Sequence, residues 1–173
     1  MTIRIASKYT FYDVEASGLY DGSFPVEIAW SIYGEVKSLL IFPCEYWSID
    51  EWDHVAQSIH GHPLHVLRKN GLSVSKIADK LNGIFGSQTV YSDNSAYDVR
   101  WTDMVFEAAS VKRSFKIDTV GRLLGSLGVS AETAYESFSN ARDTKPSNGA
   151  ASQGVHHLKA VVDDLQKRGV LKA

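Results

Sequence analysis

The sequence predicts an α/β fold, a mixed sheet flanked by helices, and two changes in hydrophobic period carry that reading. Three strand-length apolar segments open the chain and are followed by segments with helical spacing. Two short strands then appear, each followed by a helix. Strands joined through helices lie parallel, so these two extend the opening antiparallel meander into a mixed sheet.

Strands are expected at "YTFYDVEA" (9–16), "PVEIAWSIYG" (25–34) and "KSLLIFP" (37–43), separated by the turn-rich "GLYDGSF" and by "GEV". The stretches "IDEWDHVAQSIHG" and "SVSKIADKLNGIFG" carry apolar residues at helical spacing. In the second, Val74, Ile77, Ala78, Leu81, Ile84 and Phe85 form one stripe, with Ser73 as N-cap and Gly86 as stop signal. A strand "QTVYSD" (88–93), a helix from about Tyr97 to Ala109, a strand "SFKID" (114–118) and a helix "TVGRLLGSLG" (119–128) come next. A further helix is expected between Ala131 and Asn140. The segment "DTKPSNGAASQG" (143–154) collects Pro, Ser, Asn and Gly and reads as a mobile surface loop. The last helix follows it, with Leu158, Val161, Val162 and Leu165 as its apolar stripe. No repeat or linker divides the chain, so one domain over 1–173 is expected.

With 173 residues and 44% hydrophobic side chains, the chain has material for one substantial core. A formal net charge of -2 argues against strong nonspecific attraction to nucleic acid, but not against a site whose metal ions supply the positive charge. The single cysteine, Cys44, allows no internal disulfide and points to a reducing compartment. No signal-peptide pattern and no window of roughly 18 apolar residues occurs, so the expectation is a cytoplasmic protein without a membrane partner.

The stretch "FYDVEASGL" (11–19) sets Asp13 and Glu15 two residues apart in a strand, which puts both carboxylates on one face. Like charges so close repel, and burial adds a desolvation cost, so both stay ionised only beside cations. A solvated edge strand accounts for the pair equally well. "SDNSAYD" (92–98) adds Asp98 at a helix start directly after a strand, the sheet end where α/β proteins collect ligands. Asp98 reads also as an acid favoured by the helix macrodipole. "VHHLKAVVDD" offers His156, His157, Asp163 and Asp164, which read equally as a polar, solvated helix end.

Together these segments resemble the DEDDh family of 3'-5' exonucleases over most of the chain. "FYDVEASGL" is similar to that family's Asp-x-Glu strand and its following turn, and "NSAYD" to its Asn-x-x-aromatic-Asp motif. "FKIDT" resembles its Asp-Thr strand end, and "AQSIHGHPLHVLRKNG" its His-Gly segment between two helices. "HHLKAVVDD" resembles its third motif, a His on a loop ahead of the helix carrying the last Asp. The usual third motif has four residues between His and Asp, whereas His157 and Asp163 have five between them. On a four-residue spacing to Asp163 the family histidine falls on Leu158, so the general base is less securely placed than the metal ligands, with His156 as a second candidate.

The resemblance implies a ribonuclease H-like mixed sheet of five strands flanked by helices, in a single DEDDh exonuclease domain. It implies that Asp13, Glu15, Asp98 and Asp163 hold two divalent ions, Mg²⁺ or Mn²⁺, which suit hard oxygen ligands. Such a pair stabilises both the entering and the leaving oxygen of a phosphodiester. His157 is then the general base, closing over the site from its loop. Ala16, Ser17, Gly18 and Leu19 form the floor for the terminal nucleotide, with Leu19 against the last base, and Asn94 joins the substrate-binding set. The implied activity is metal-dependent release of nucleoside monophosphates from 3' ends of single-stranded or frayed DNA or RNA. A homodimer is common in the wider family.

Other features carry less. His60, His62 and His65 in "HGHPLH" lack the Cys or carboxylate that would complete a metal set. Trp30 and Trp101 are expected in the core, whereas Trp47 and Trp52 lie in a polar loop and are candidates for stacking on bases. Asp118 reads as a helix cap. Two alternatives stay open: hydrolysis of very short RNA by the same site, and a catalytically weakened module that binds nucleic acid or a polymerase.

Overall fold

The structure, a computed structural model, describes residues 5–146 and 149–172. Strands β1 (Tyr12–Ala16), β2 (Pro25–Ile32) and β3 (Glu35–Leu40) form an antiparallel meander in sequence order. The register sets Asp13 opposite Ala29 and Glu15 opposite Glu27, with an irregularity between Glu15 and Ala16 as β1 ends. Helices α1 (His54–His60), α2 (Leu64–Asn70) and α3 (Val74–Phe85) follow. The chain then runs through β4 (Thr89–Ser92), α4 (Ser95–Ala108), β5 (Lys116–Thr119), α5 (Val120–Ser126), α6 (Ala131–Thr144) and α7 (Ala151–Lys167).

β4 and β5 pair in parallel as expected for strands linked by a helix, but they form their own two-stranded sheet. They do not continue the meander into one five-stranded sheet. Among the described residues the two sheets are joined by one parallel bridge, Phe11 to Tyr91, where the Tyr91 N–H donates to the Thr10 carbonyl at 2.8 Å. The ladder goes no further along β1 because the Val14 N–H donates to the Asp98 side chain instead, at 3.0 Å.

Alternation along β1 sorts the core into two layers. Phe11 packs with Ala29 and with the apolar stripe of α7, Leu158, Val161, Val162 and Leu165. Tyr12 and Val14 face the other way, onto Ile77, Leu81 and Phe85 of α3 and Trp101, Val105 and Phe106 of α4. Trp30 and Trp101 are core residues as expected, and Cys44 packs at the edge of that second layer. Trp47 and Trp52, both half-buried, lie against the buried ring of Phe24 at centroid distances of 5.4 and 5.9 Å. The cap of α5 is Thr119, whose hydroxyl accepts from the Arg122 N–H, while Asp118 accepts from the Thr119 N–H.

The largest difference concerns 143–154. α6 runs on to Thr144, and α7 already begins at Ala151, so Gly154, His156 and His157 are helical rather than in a loop. No side chain at Ala150 caps α7. The cap comes from far along the chain: the Glu27 carboxylate on β2 accepts the Ala151 N–H at 2.8 Å. An acid at a helix N-terminus satisfies an orphan donor and opposes the positive end of the macrodipole.

Candidate active site

The end of β1, the turn after it, α1, the β4–α4 junction and the first turn of α7 enclose a cleft of about 420 Å³. Asp13 and Glu15 enter it from β1, Asp93 from the residue just past β4, and Asp98 from the first turn of α4. Carboxylate oxygens of Asp13, Asp93 and Asp98 all lie within 4.8 Å of one another. No Lys, Arg or His is among the described residues lining the cleft.

Asp98 is the deepest of these acids, only 2% exposed. Its Oδ1 accepts the Val14 N–H, and its Oδ2 is buried with no donor in hydrogen-bonding geometry. Burial first, then the charges of Asp93 and Glu15, push its carboxyl up to about 8, against the neighbouring Ser92 hydroxyl and the Val14 N–H, which favour the ionised form. Asp13 is raised well above its ordinary value by burial and by the charges of Asp98, Glu15 and Asp93. Glu15 is raised to about 7 by burial and by the neighbouring Glu27, with His62 opposing. Acids crowded at this cost are stabilised in their ionised form by a cation.

The turn after β1 is closed internally. Ser17 N–H donates to the Phe24 carbonyl at 2.8 Å, Ser17 Oγ accepts from the Phe24 N–H at 3.0 Å, and the Ser17 carbonyl accepts from the Asp53 N–H at 3.0 Å. Ser17 is therefore fully buried behind the cleft, while Ala16, Gly18, Leu19 and Asn94 line it. Asp53, a lining residue without a sequence signal, caps α1 by accepting from the Val55 N–H at 2.7 Å and from the Tyr20 hydroxyl at 2.9 Å. Leu19, Val55, Ile59 and Tyr97 give the mouth an exposed apolar rim.

The last two sequence candidates lie elsewhere. His157, expected on a loop, is in the second turn of α7 and buried; its Nδ1 bonds the Lys145 carbonyl at 2.7 Å and its ring meets Phe138. His156 is exposed on the same helix. Asp163 is nine residues beyond Gly154, about 13 Å along the helix axis at 1.5 Å per residue, and is not among the lining residues. The α7 residue that meets the acids is Gly154: a Cβ there would come within 2.7 Å of Asp13 Cγ and collide with Oδ2. Asp93 and Gly154 were both missed. Asp93 lies in "SDNSAYD" just ahead of the Asn-x-x-aromatic-Asp run, and the helical phase of "GVHHLKAVV" places Gly154 one turn before Leu158, on the face of Leu158 and Val161.

The His-Gly segment makes a separate network. His62 Nε2 lies 3.0 Å from Glu27 Oε2, and His60 stacks on His62 at 5.5 Å. Burial and the His62 charge lower His60 to about 4. Glu27 itself stays below the usual carboxylate value: burial opposes ionisation, but the His62 bond and the Ala151 N–H outweigh it.

Neither a protein-family model nor a curated protein sequence matches the chain. Solved structures do. A zinc-bound complex of Escherichia coli exonuclease I with single-stranded DNA matches with TM-score 0.64 and 16% identity over 92% of this chain. The E. coli enzyme with a dA16 oligonucleotide gives 0.65 and 13% over 92%, and a product-bound exonuclease I gives 0.65 and 14% over 94%. The chain spans 40 to 44% of the length of these proteins. At such identity the likeness shows a shared fold. No helix among the described residues is long and apolar enough to cross a membrane.

Proposed function

We propose that this cleft binds 3' ends of single-stranded nucleic acid and, with divalent cations, acts as a 3'-5' exonuclease. The reading places the two sheets in a ribonuclease H-like frame of five strands and keeps Asp13, Glu15 and Asp98 as the acids of a DEDDh-type site. The observation that carries it is the meeting of Asp13, Asp93 and Asp98 oxygens within 4.8 Å in a cleft free of basic side chains. A cleft lined by acids offers a phosphodiester no positive charge of its own, so a bound cation supplies it. The solved exonuclease I structures, complexes with single-stranded DNA among them, support the substrate class.

The donor set fits a hard divalent ion such as Mg²⁺ or Mn²⁺, with Asp13, Asp93 and Asp98 as the holding residues. Such an ion, when bound, offsets charge on the phosphoryl oxygens. The chain supplies the rest. Leu19, Val55, Ile59 and Tyr97 offer apolar surface to bases, and Asn94, exposed and making no cap bond with its side chain, offers polar groups to the terminal sugar.

A second reading, a module that binds 3' ends with weak or no turnover, is favoured by one observation: Gly154 meets Asp13 where the motif needs an acid, and His157 and Asp163 lie outside the cleft. Labelled single-stranded DNA and RNA incubated with Mg²⁺, Mn²⁺ or EDTA separate the two. Mononucleotide release that stops in EDTA and in Asp13→Asn supports the exonuclease. Metal-dependent binding without release supports the module, and absence of both overturns the proposal.

A further inference from the structure

We infer that this chain holds one divalent cation rather than two, with Asp93 supplying the ligand that the exonuclease motif takes from its last helix. The inference rests on the cation site of the proposed function but not on turnover. Three observations lead to it.

The first is the geometry of the acids. Three carboxylate oxygens within 4.8 Å of one another can close around one ion with metal–oxygen distances of about 2.1 Å. Glu15 lines the same cleft but is not one of the three. The second is Asp98. Its side chain is 98% buried, next to Asp13 and Asp93, and its Oδ2 makes no hydrogen bond, the buried Ser92 hydroxyl beside it being likewise unbonded. A buried carboxylate oxygen without a partner is costly, and a cation is the partner that this cluster of acids lacks. The third is Gly154. α7 passes so close to Asp13 that no side chain fits at this position, and the helix brings no carboxylate to the cleft. A pair of ions about 3.5 to 4 Å apart needs acids on both sides. Here the α7 side is bare, and the third acid comes instead from the β4–α4 junction, where Asp93 is exposed and adjacent to the pocket floor.

The test is Mn²⁺ titration of the full chain, followed by calorimetry and by the free-ion paramagnetic resonance signal, with circular dichroism as the check on folding. The wild-type chain is expected to bind one Mn²⁺. Asp93→Asn and Asp98→Asn each weaken binding at least tenfold, and Asp163→Asn stays within twofold of wild type. Asp93 is exposed, so its substitution leaves the core untouched and keeps the test valid should Asp98→Asn fold poorly. Two bound ions, a loss with Asp163→Asn equal to that with Asp98→Asn, an Asp93→Asn variant within twofold of wild type, or no binding at millimolar Mn²⁺ each overturn the inference. Nucleotide release is not read in this experiment. A chain that cleaves DNA with two ions sinks this inference and upholds the exonuclease; one ion without cleavage does the reverse.

Discussion

The Asp98 carboxylate accepts the Val14 backbone N–H at 3.0 Å, so α4, which carries one acid, is fastened to β1, which carries two others. The bond has a structural and a chemical consequence. It ends the ladder between the two sheets, and it leaves Oδ2 without a hydrogen bond. Asp98→Asn keeps an oxygen for the Val14 N–H and removes the charge. Divalent-ion affinity is expected to drop at least tenfold, while the urea midpoint without metal holds or rises, because one of several crowded acids is neutralised. Titration calorimetry and urea denaturation check the two halves. A large fall in the midpoint would show that the pin to β1 had been lost.

Stability should depend on pH in a direction set by the same acids. Asp98 at about 8 and Glu15 at about 7 hold protons in the folded chain that ordinary carboxyls, at 3.8 and 4.5, have released. The folded state therefore binds more protons than the unfolded state across that window, and stability falls as pH rises through it. Without metal, the melting temperature is expected to drop between about pH 5 and pH 8. A divalent ion binds the deprotonated acids, so its stabilising increment is larger at the alkaline end. Thermal melts with EDTA and with Mn²⁺ at both pH values measure this, and Asp98→Asn should flatten the metal-free slope.

Most of the frame was legible in the sequence because it rests on local patterns. The period-2 alternation of "FYDVEA" correctly set Asp13 and Glu15 on one face, and the stripe from Val74 to Phe85 became a helix with the expected bounds. The failures have non-local causes. Ala151 starts α7 under a cap from Glu27, 124 residues away, which no reading of "NGAASQG" contains. His157 and Asp163 rest on the third-motif resemblance and on the stripe of the last helix, and neither contains the helix start at Ala151 that carries both residues away from the cleft. Asp93 closes the expected strand "QTVYSD", and a lone acid at a strand end carries no metal signal of its own. The five-stranded sheet follows from the resemblance and from helix-linked strands lying parallel, and neither fixes how far a ladder continues.

Glu27 joins β2 to the His-Gly segment and to the start of α7 through His62 Nε2 at 3.0 Å and the Ala151 N–H at 2.8 Å. Both bonds go to the same oxygen, Oε2, so Glu27→Gln can keep that acceptor and removes the negative charge that strengthens them. A stability loss of about 1 to 2 kcal/mol is expected, the difference between hydrogen bonds to a charged and to a neutral acceptor. The carboxyl is held below its ordinary 4.5, so its contribution is present at neutral pH and fades as pH falls through the folded value. The variant should therefore differ most from wild type at neutral pH and least in acid. Urea denaturation at several pH values gives both numbers, and a constant difference across pH would contradict the assigned charge. Because Glu27 starts α7, amide exchange in 151–155 should quicken in the variant.

Asp53 connects the two walls of the cleft: it caps α1 through the Val55 N–H and holds the Tyr20 hydroxyl from the turn after β1. Leu19 on that turn and Val55 and Ile59 on α1 form most of the exposed apolar rim, so their spacing depends on this carboxylate. Asp53→Ala removes both bonds without touching Asp13, Asp93 or Asp98. Single-stranded oligonucleotide binding, read by fluorescence anisotropy with Mn²⁺ present, is expected to weaken five- to tenfold, with Mn²⁺ affinity unchanged. Asp53→Asn can still accept at the cap and should recover most of the loss. Tyr20→Phe separates the contributions: it removes the side-chain tie between the walls and keeps both the cap and the Asp53 N–H to Ser17 carbonyl bond, so if the side-chain tie sets the wall spacing it should weaken oligonucleotide binding nearly as much as Asp53→Ala. Wild-type affinity in Tyr20→Phe would mean that the cap alone, through the order it gives α1, determines how the rim meets the bases.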